Sequence, residues 1–234
     1  MTNLHVSEIF GPTVQGEGPY AGRRATFVRL GGCNLSCIWC DTPYTWDSSR
    51  FDLRQEIRPS SVDDILEQLD GSDGIVVITG GEPFLQARAV GFTDLLAGLR
   101  KRGRPVHVES NGTILPPTAV LQAIDVVVLS PKLANAGPHR GSQDPTLDPG
   151  WGPLARTREV HLKIVCFDAQ DVAAAVRLAD ELSWPRKSVW VMPEGTRAET
   201  VHRRFQTLAD AAITAGINVS PRLHISAWGD LRGR

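Results

Sequence analysis

Six short apolar runs recur along this chain, and their spacing restricts the fold more than any other feature. They are ATFVRL (25–30), GIVVIT (74–79), PVHVES (105–110), DVVVLS (125–130), VHLKIV (160–165) and SVWVMP (188–193). Runs this rich in β-branched residues, bounded by turn formers, predict strands. Amphipathic stretches between several of them predict helices over 61–70, 84–101, 168–182 and 199–215; Ser61 opens the first, and the last two are Ala-rich and end near Pro or Gly. Strand–helix alternation implies right-handed crossovers and a parallel sheet. A complete eight-fold barrel typically takes about 250 residues. The expectation for these 234 residues is therefore an α/β fold, an open and partial parallel β/α barrel of about six strands, forming one domain over 1–234.

Each run is followed by a polar motif: the cysteine-rich GGCNLSCIWCDT after FVRL, GGEP after IVVIT, NGT after HVES, SPK after VVVL and PEG after VWVM. In parallel α/β architectures the loops at the carboxyl ends of strands converge on one site. An active site there is expected. The Gly- and Pro-rich segment 133–158 has no clear periodicity; it reads equally as a surface excursion or as a lid.

Net charge is −1, so no basic field recruits nucleic acid, and no apolar run is long enough to span a bilayer. The N-terminus lacks the basic and apolar regions of a secretory signal, and a cytoplasmic protein is expected. Structural disulfides are then unexpected, and the four cysteines point to a metal or redox site. Three of them, Cys33, Cys37 and Cys40, lie within eight residues. Three local thiolates leave one coordination position open for a substrate or cofactor, whereas a closed site needs a fourth ligand. Cys166 is the only other cysteine, and at a strand end it reads first as a small buried hydrophobe.

The spacing Cys33-x3-Cys37-x2-Cys40, with Trp39 before the last cysteine, resembles the radical S-adenosylmethionine superfamily. The resemblance implies a [4Fe–4S] cluster on three thiolates and S-adenosylmethionine on the remaining iron, yielding a 5′-deoxyadenosyl radical. TGGEP (79–83) is similar to the superfamily's glycine-rich element, where the missing Cβ atoms of Gly80 and Gly81 admit close approach of a ligand and Glu82 would accept from its amino group. By the same resemblance the SPK element, Ser130, Pro131 and Lys132, would offer a hydroxyl and an ammonium to the same cofactor.

The resemblance narrows further. FGPTVQGEG (10–18), FVRLGGCNLSCIWCDTPYTWD (27–47), TGGEP, ESNGT (109–113), SPK and PRLHISAWG (221–229) together resemble the 7-carboxy-7-deazaguanine synthases, in that family's order. The family implies radical ring contraction of 6-carboxy-5,6,7,8-tetrahydropterin with loss of ammonia, dependence on Mg²⁺, a homodimer, and a reductant such as flavodoxin. By the same resemblance Trp39, Cys40, Asp41 and Gly81 line S-adenosylmethionine, and Thr42 ligates Mg²⁺. Val14, Gln15, Gly16 and Glu17 would face the pterin, with Thr79 and His224 completing the substrate set. Arg29, a charge inside an apolar run, needs an anion: the substrate carboxylate suits it, and a structural ion pair is the alternative. Two rivals remain at this point. Another radical enzyme, such as a glycyl-radical activase, would share the cysteines and GGEP but act on a protein. An iron–sulfur electron carrier or zinc module would need neither the open iron nor a barrel of this size.

Overall fold

All six runs fold as strands, displaced by no more than one residue at either end from the expected bounds. The computed structural model describes residues 3–140 and 145–234. In chain order the strands are β1 (Asn3–Val14), β2 (Arg24–Leu30), β3 (Arg58–Ser61), β4 (Ile75–Gly80), β5 (Val106–Ser110), β6 (Val126–Leu129), β7 (Val160–Cys166), β8 (Val189–Pro193) and β9 (Asn218–Val219). They form one open sheet in the order β3-β1-β2-β4-β5-β6-β7-β8-β9. From β2 to β9 every neighbour is parallel, whereas β1 runs antiparallel to both β2 and β3. The architecture is thus an open parallel β/α sheet extended by three strands beyond the expected six.

Alternation along the strands separates two environments. Val28, Leu30, Val76, Ile78, Val106, Val108, Leu162, Ile164 and Cys166 point to the helices and form the main core. Ala25, Phe27, Ile75 and Val77 form a smaller cluster with Phe10 and Tyr20 against it. Along the same strands Arg29, Thr79, Glu109 and Lys163 line a cavity. The burial of charge on that side is the first sign of a site.

The helices are set by local chemistry. Ser61 caps Val62–Gln68 by accepting from the Asp64 amide, with Asp63 and Asp64 in the first turn. Asp168 caps Ala169–Glu181 by accepting from the Gln170 and Asp171 amides. Ala198–Ala215 stops at Gly216, in left-handed conformation at φ 67°. The helix expected from residue 84 begins later. Pro83–Gln86 is a 3-10 turn and the α-helix is Val90–Lys101. Glu82 caps the start of that turn, its carboxylate accepting from the Phe84 amide. In the 133–158 segment, Ala134–Ala136 is a 3-10 turn and Trp151–Leu154 a short helix; residues 141–144 lie outside the described residues. Among the described residues no helix is long and apolar enough to cross a membrane.

Candidate active site

The cysteine loop follows β2 and is held from three directions. Asn111, just past β5, donates through Nδ2 to Asn34 Oδ1 at 2.8 Å, and Asn34 donates to Thr113 Oγ1 at 2.7 Å. The Ile38 amide donates to the Ala136 carbonyl, and Trp39 Nε1 to the Asn135 carbonyl at 3.0 Å. Gly32 donates to the Thr45 carbonyl across the loop's base. The three thiols line one cavity. Burial pushes the Cys33 thiol up to about 12 and raises Cys37 as well. Desolvated thiols of this kind ionise when they bind a cation, whose charge reverses the balance. Cys40 Sγ accepts from Trp46 Nε1 at 3.3 Å and lies 3.8 Å from Thr42 Oγ1.

The glycine-rich element after β4 packs directly on this loop. A Cβ on Gly81 would stand 2.1 Å from the Gly32 carbonyl oxygen and 2.8 Å from Cys33 Cβ. The Gly81 amide donates to the Leu30 carbonyl and the Glu82 amide to that of Gly32. Only glycine permits that approach, which brings bare backbone to the thiol cradle. Beyond β6, Lys132 Nζ donates to Ser130 Oγ at 2.9 Å and stands 5.2 Å from the centre of the Trp39 ring.

Another part of the cavity's lining is ionic. Lys163, on β7, donates to Glu17 Oε2 at 2.6 Å and Glu109 Oε1 at 2.9 Å. Arg222 donates through Nε to Glu17 Oε1 at 2.8 Å and through Nη2 to Asp41 Oδ2 at 2.6 Å. Burial raises the Glu17 carboxyl, but the Lys163 and Arg222 charges outweigh it and hold Glu17 well below the usual range. Burial likewise opposes ionisation of Asp41, and Arg222 overcomes it. Burial lowers His224, favouring its neutral form. Gln15 Nε2 and Thr79 Oγ1 donate to the two oxygens of Glu109, each at 3.2 Å. Arg29 donates through Nε to Glu8 Oε1 at 2.7 Å, so the ion pair anticipated as an alternative is present, and Arg29 lines the cavity as well.

The structure thus brings Val14, Gln15, Gly16, Glu17, Arg29, Trp39, Asp41, Thr42, Thr79, Gly80, Ser130 and His224 to the same cavity as the thiols, Gly81 and Lys132. Two expected residues do not line it. Pro131 and Glu82 are both buried and absent from the lining, Glu82 completely so. The Glu82 oxygens accept from the Phe84 and Asn111 amides and the Ser110 hydroxyl, so it braces the loops behind the cavity. Glu109, Lys163 and Arg222 were not anticipated. For Glu109 and Lys163 the signal was the alternation of HxE in β5 and HxK in β7, which puts a charge on the face opposite the aliphatic core; Arg222, just before a short helix, gave no such signal.

Burial raises Glu82 to about 7 against its hydrogen bonds. From its ordinary value of 4.5 up to about 7, the folded state retains a proton that the unfolded chain has lost. Stability therefore falls as pH rises through that window. Glu82→Gln should remove this component, flattening the profile by up to about 1.4 kcal/mol per pH unit. Absolute stability should also fall, because glutamine offers one acceptor oxygen where two amides donate to two. Thermal unfolding across the window separates slope from offset.

An open parallel β/α sheet whose first strand-end loop carries three thiols beside a glycine cradle defines a radical S-adenosylmethionine enzyme, and a family model described as the Radical SAM superfamily matches residues 27–133. The relatives are more specific. The 7-carboxy-7-deazaguanine synthase of Pyrobaculum aerophilum is 36% identical over 234 residues, covering 99% of this chain and 97% of that one. That of Halobacterium salinarum is 34% identical over 250 residues, covering 97% and 91%. Among solved structures, QueE from Escherichia coli matches with a TM-score of 0.66 at 25% identity over 93% of each chain. The chain belongs to the 7-carboxy-7-deazaguanine synthase family. Membership implies a [4Fe–4S] cluster and S-adenosylmethionine, and the residues fit both: three thiols reach one cavity, and the Gly80-Gly81 backbone lines it beside them, held against the cysteine loop because no Cβ on Gly81 intervenes.

Proposed function

We propose that this chain is itself a 7-carboxy-7-deazaguanine synthase, converting 6-carboxy-5,6,7,8-tetrahydropterin to 7-carboxy-7-deazaguanine. The reaction is a carbon–nitrogen lyase step that releases ammonia, on the route to queuosine and other 7-deazapurines. The observation that carries this reading is the shared cavity: the three thiols face a polar wall of Gln15, Glu17, Arg29, Thr79 and Glu109, dense in groups able to hold a flat heterocycle and its carboxylate.

When bound, the cluster and S-adenosylmethionine supply one-electron reduction and a carbon-centred radical. The chain's residues do the rest. Cys33, Cys37 and Cys40 hold the cluster, and Trp39, Asp41, the Gly80-Gly81 backbone, Ser130 and Lys132 orient the cofactor. Ionised Glu17 accepts from the pterin's amide and amino edge, with Val14, Gly16 and neutral His224 against the ring. The Arg29 guanidinium clamps the carboxylate. Thr42 gives Mg²⁺ one hard oxygen ligand, sufficient because this ion is usually held by one or two protein ligands plus water and substrate. The single domain works in the cytoplasm as a homodimer, reduced by a flavodoxin-like donor.

The decisive experiment is anaerobic incubation of the reconstituted protein with the carboxypterin, S-adenosylmethionine, dithionite and Mg²⁺. Formation of the deazaguanine and ammonia is expected, and cofactor cleavage without either product rejects the assignment. In the same assay Thr42→Ala should lower the response to Mg²⁺ by about tenfold, the weight of one charge-assisted contact, while cluster content stays at the wild-type level. An unaltered Mg²⁺ titration removes Thr42 from the metal site.

A further inference from the structure

Lys163 is 4% exposed, and its two carboxylate partners come from distant parts of the chain: Glu17 from the loop after β1 and Glu109 from β5. An ammonium has three donors, and two are committed to holding these groups together. The two partners differ in what else holds them. Glu17 is gripped on its other oxygen by Arg222 and has His224 Nε2 at 3.7 Å, with Asp41 beyond Arg222. Glu109 has neutral donors in Gln15 and Thr79, and Lys163 is its only salt-bridge partner among the described residues. Gln15 closes the ring, because its Oε1 accepts from the Glu17 amide at 3.1 Å while its Nε2 donates to Glu109.

We infer that Lys163 is a positioning residue for the substrate: it locks Glu17 and Glu109 into one preformed acceptor wall, so that the pterin does not have to order them on binding. This rests on the carboxypterin reading above. The physical gain is pre-organisation, since two flexible carboxylates that would repel each other are fixed before the ligand arrives. A lysine suits the place, because a compact point charge reaches two carboxylates at different angles. Arg222 performs the matching task toward Asp41 and the Gly195 carbonyl, tying the wall to the cysteine loop.

Lys163→Met alone would leave a surplus buried charge, so the informative variant joins it to Glu109→Gln, with Glu109→Gln alone as reference. Hydrogen exchange at the Glu17 amide should rise about tenfold over the reference as the lock opens locally. The dissociation constant for the carboxypterin on the reconstituted enzyme should weaken by a further factor of about ten, while the thermal midpoint stays near the reference. A folded double variant with the exchange and affinity of Glu109→Gln overturns the inference. Should the double variant not fold, Lys163→Arg decides, because a lysine needed for its charge alone is rescued by arginine and a positioning lysine is not. Wild-type protein that fails to bind the carboxypterin overturns the functional reading and the substrate part of this inference, while the exchange arm still decides the lock.

Discussion

Alanine at Cys33, Cys37 or Cys40 should leave the anaerobically reconstituted protein without a stable cluster and without turnover, whereas Cys166→Ala should keep full iron content and activity. The two kinds of cysteine sit on opposite sides of the sheet. The three loop thiols are half-buried and line the cavity. Cys166 is fully buried among the helix-facing residues of the core, and its thiol donates to the Ile164 carbonyl at 3.6 Å. Burial raises the Cys166 thiol strongly, and Asp171 and Asp168 raise it further. A protonated thiol on the wrong face of a strand cannot act as a fourth ligand without turning β7 over. Removing any of the other three leaves a cluster with two thiolates, too few to hold its irons. Iron and sulfide content with the visible absorption of the cluster measures this directly. If Cys166→Ala loses the cluster, the three-thiolate site is wrong. If Cys37→Ala retains it, the loop thiols are not its ligands.

The parallel strands were legible because they are buried on both faces, or nearly so, and read as continuous β-branched runs. Strand β1 was not, for a physical reason: it lies near the sheet edge, carries Ser7, Glu8, Gly11 and Pro12, and its pairing with β2 is broken by register shifts on both sides of the 8–10 stretch. Short β3 and β9 pair through only a few residues and leave almost no periodic trace. In the site, the thiols and glycines were visible as local motifs. The ionic wall was not, because Glu17, Glu109, Lys163 and Arg222 are remote in sequence, and a lone charge in a strand does not name its partner. Glu82 shows the opposite case: its motif is local, but its oxygens accept from the Asn111 and Phe84 amides and it lies off the cavity lining. Of the 133–158 segment, read equally as a lid or an excursion, residues 133–140 pack on the cysteine loop through the Ala136 and Asn135 carbonyls and through Arg140, which pairs with buried Asp47 at 3.0 Å.

Arg29→Lys should lower catalytic efficiency toward the carboxypterin by about ten- to a hundredfold, the worth of a bidentate charge-assisted pair. The structure sharpens why lysine is a poor substitute. Arg29 uses Nε on Glu8, and its guanidinium stands 5.4 Å from the centre of the Phe10 ring. Among the described residues its two terminal nitrogens make no further hydrogen bond, which leaves the fork free for an anion in the cavity. Glu8 is itself fixed by the Tyr44 hydroxyl at 2.7 Å and Arg232 Nε at 3.1 Å. Burial opposes ionisation of Glu8, and Arg29 with these partners restores it. The pair is therefore an aiming device: one edge of the guanidinium is anchored, the other presented. Lysine has one nitrogen, which can serve Glu8 or the substrate but cannot hold the planar geometry for both. The ion pair alone predicts a different pattern, in which lysine keeps Glu8 neutralised and a pterin lacking the carboxylate is affected as much as the substrate. Affinities for both ligands, measured on wild type and Arg29→Lys, separate the two. Wild type should bind the decarboxylated pterin poorly and the variant no worse; an equal loss for both ligands assigns Arg29 to Glu8 alone.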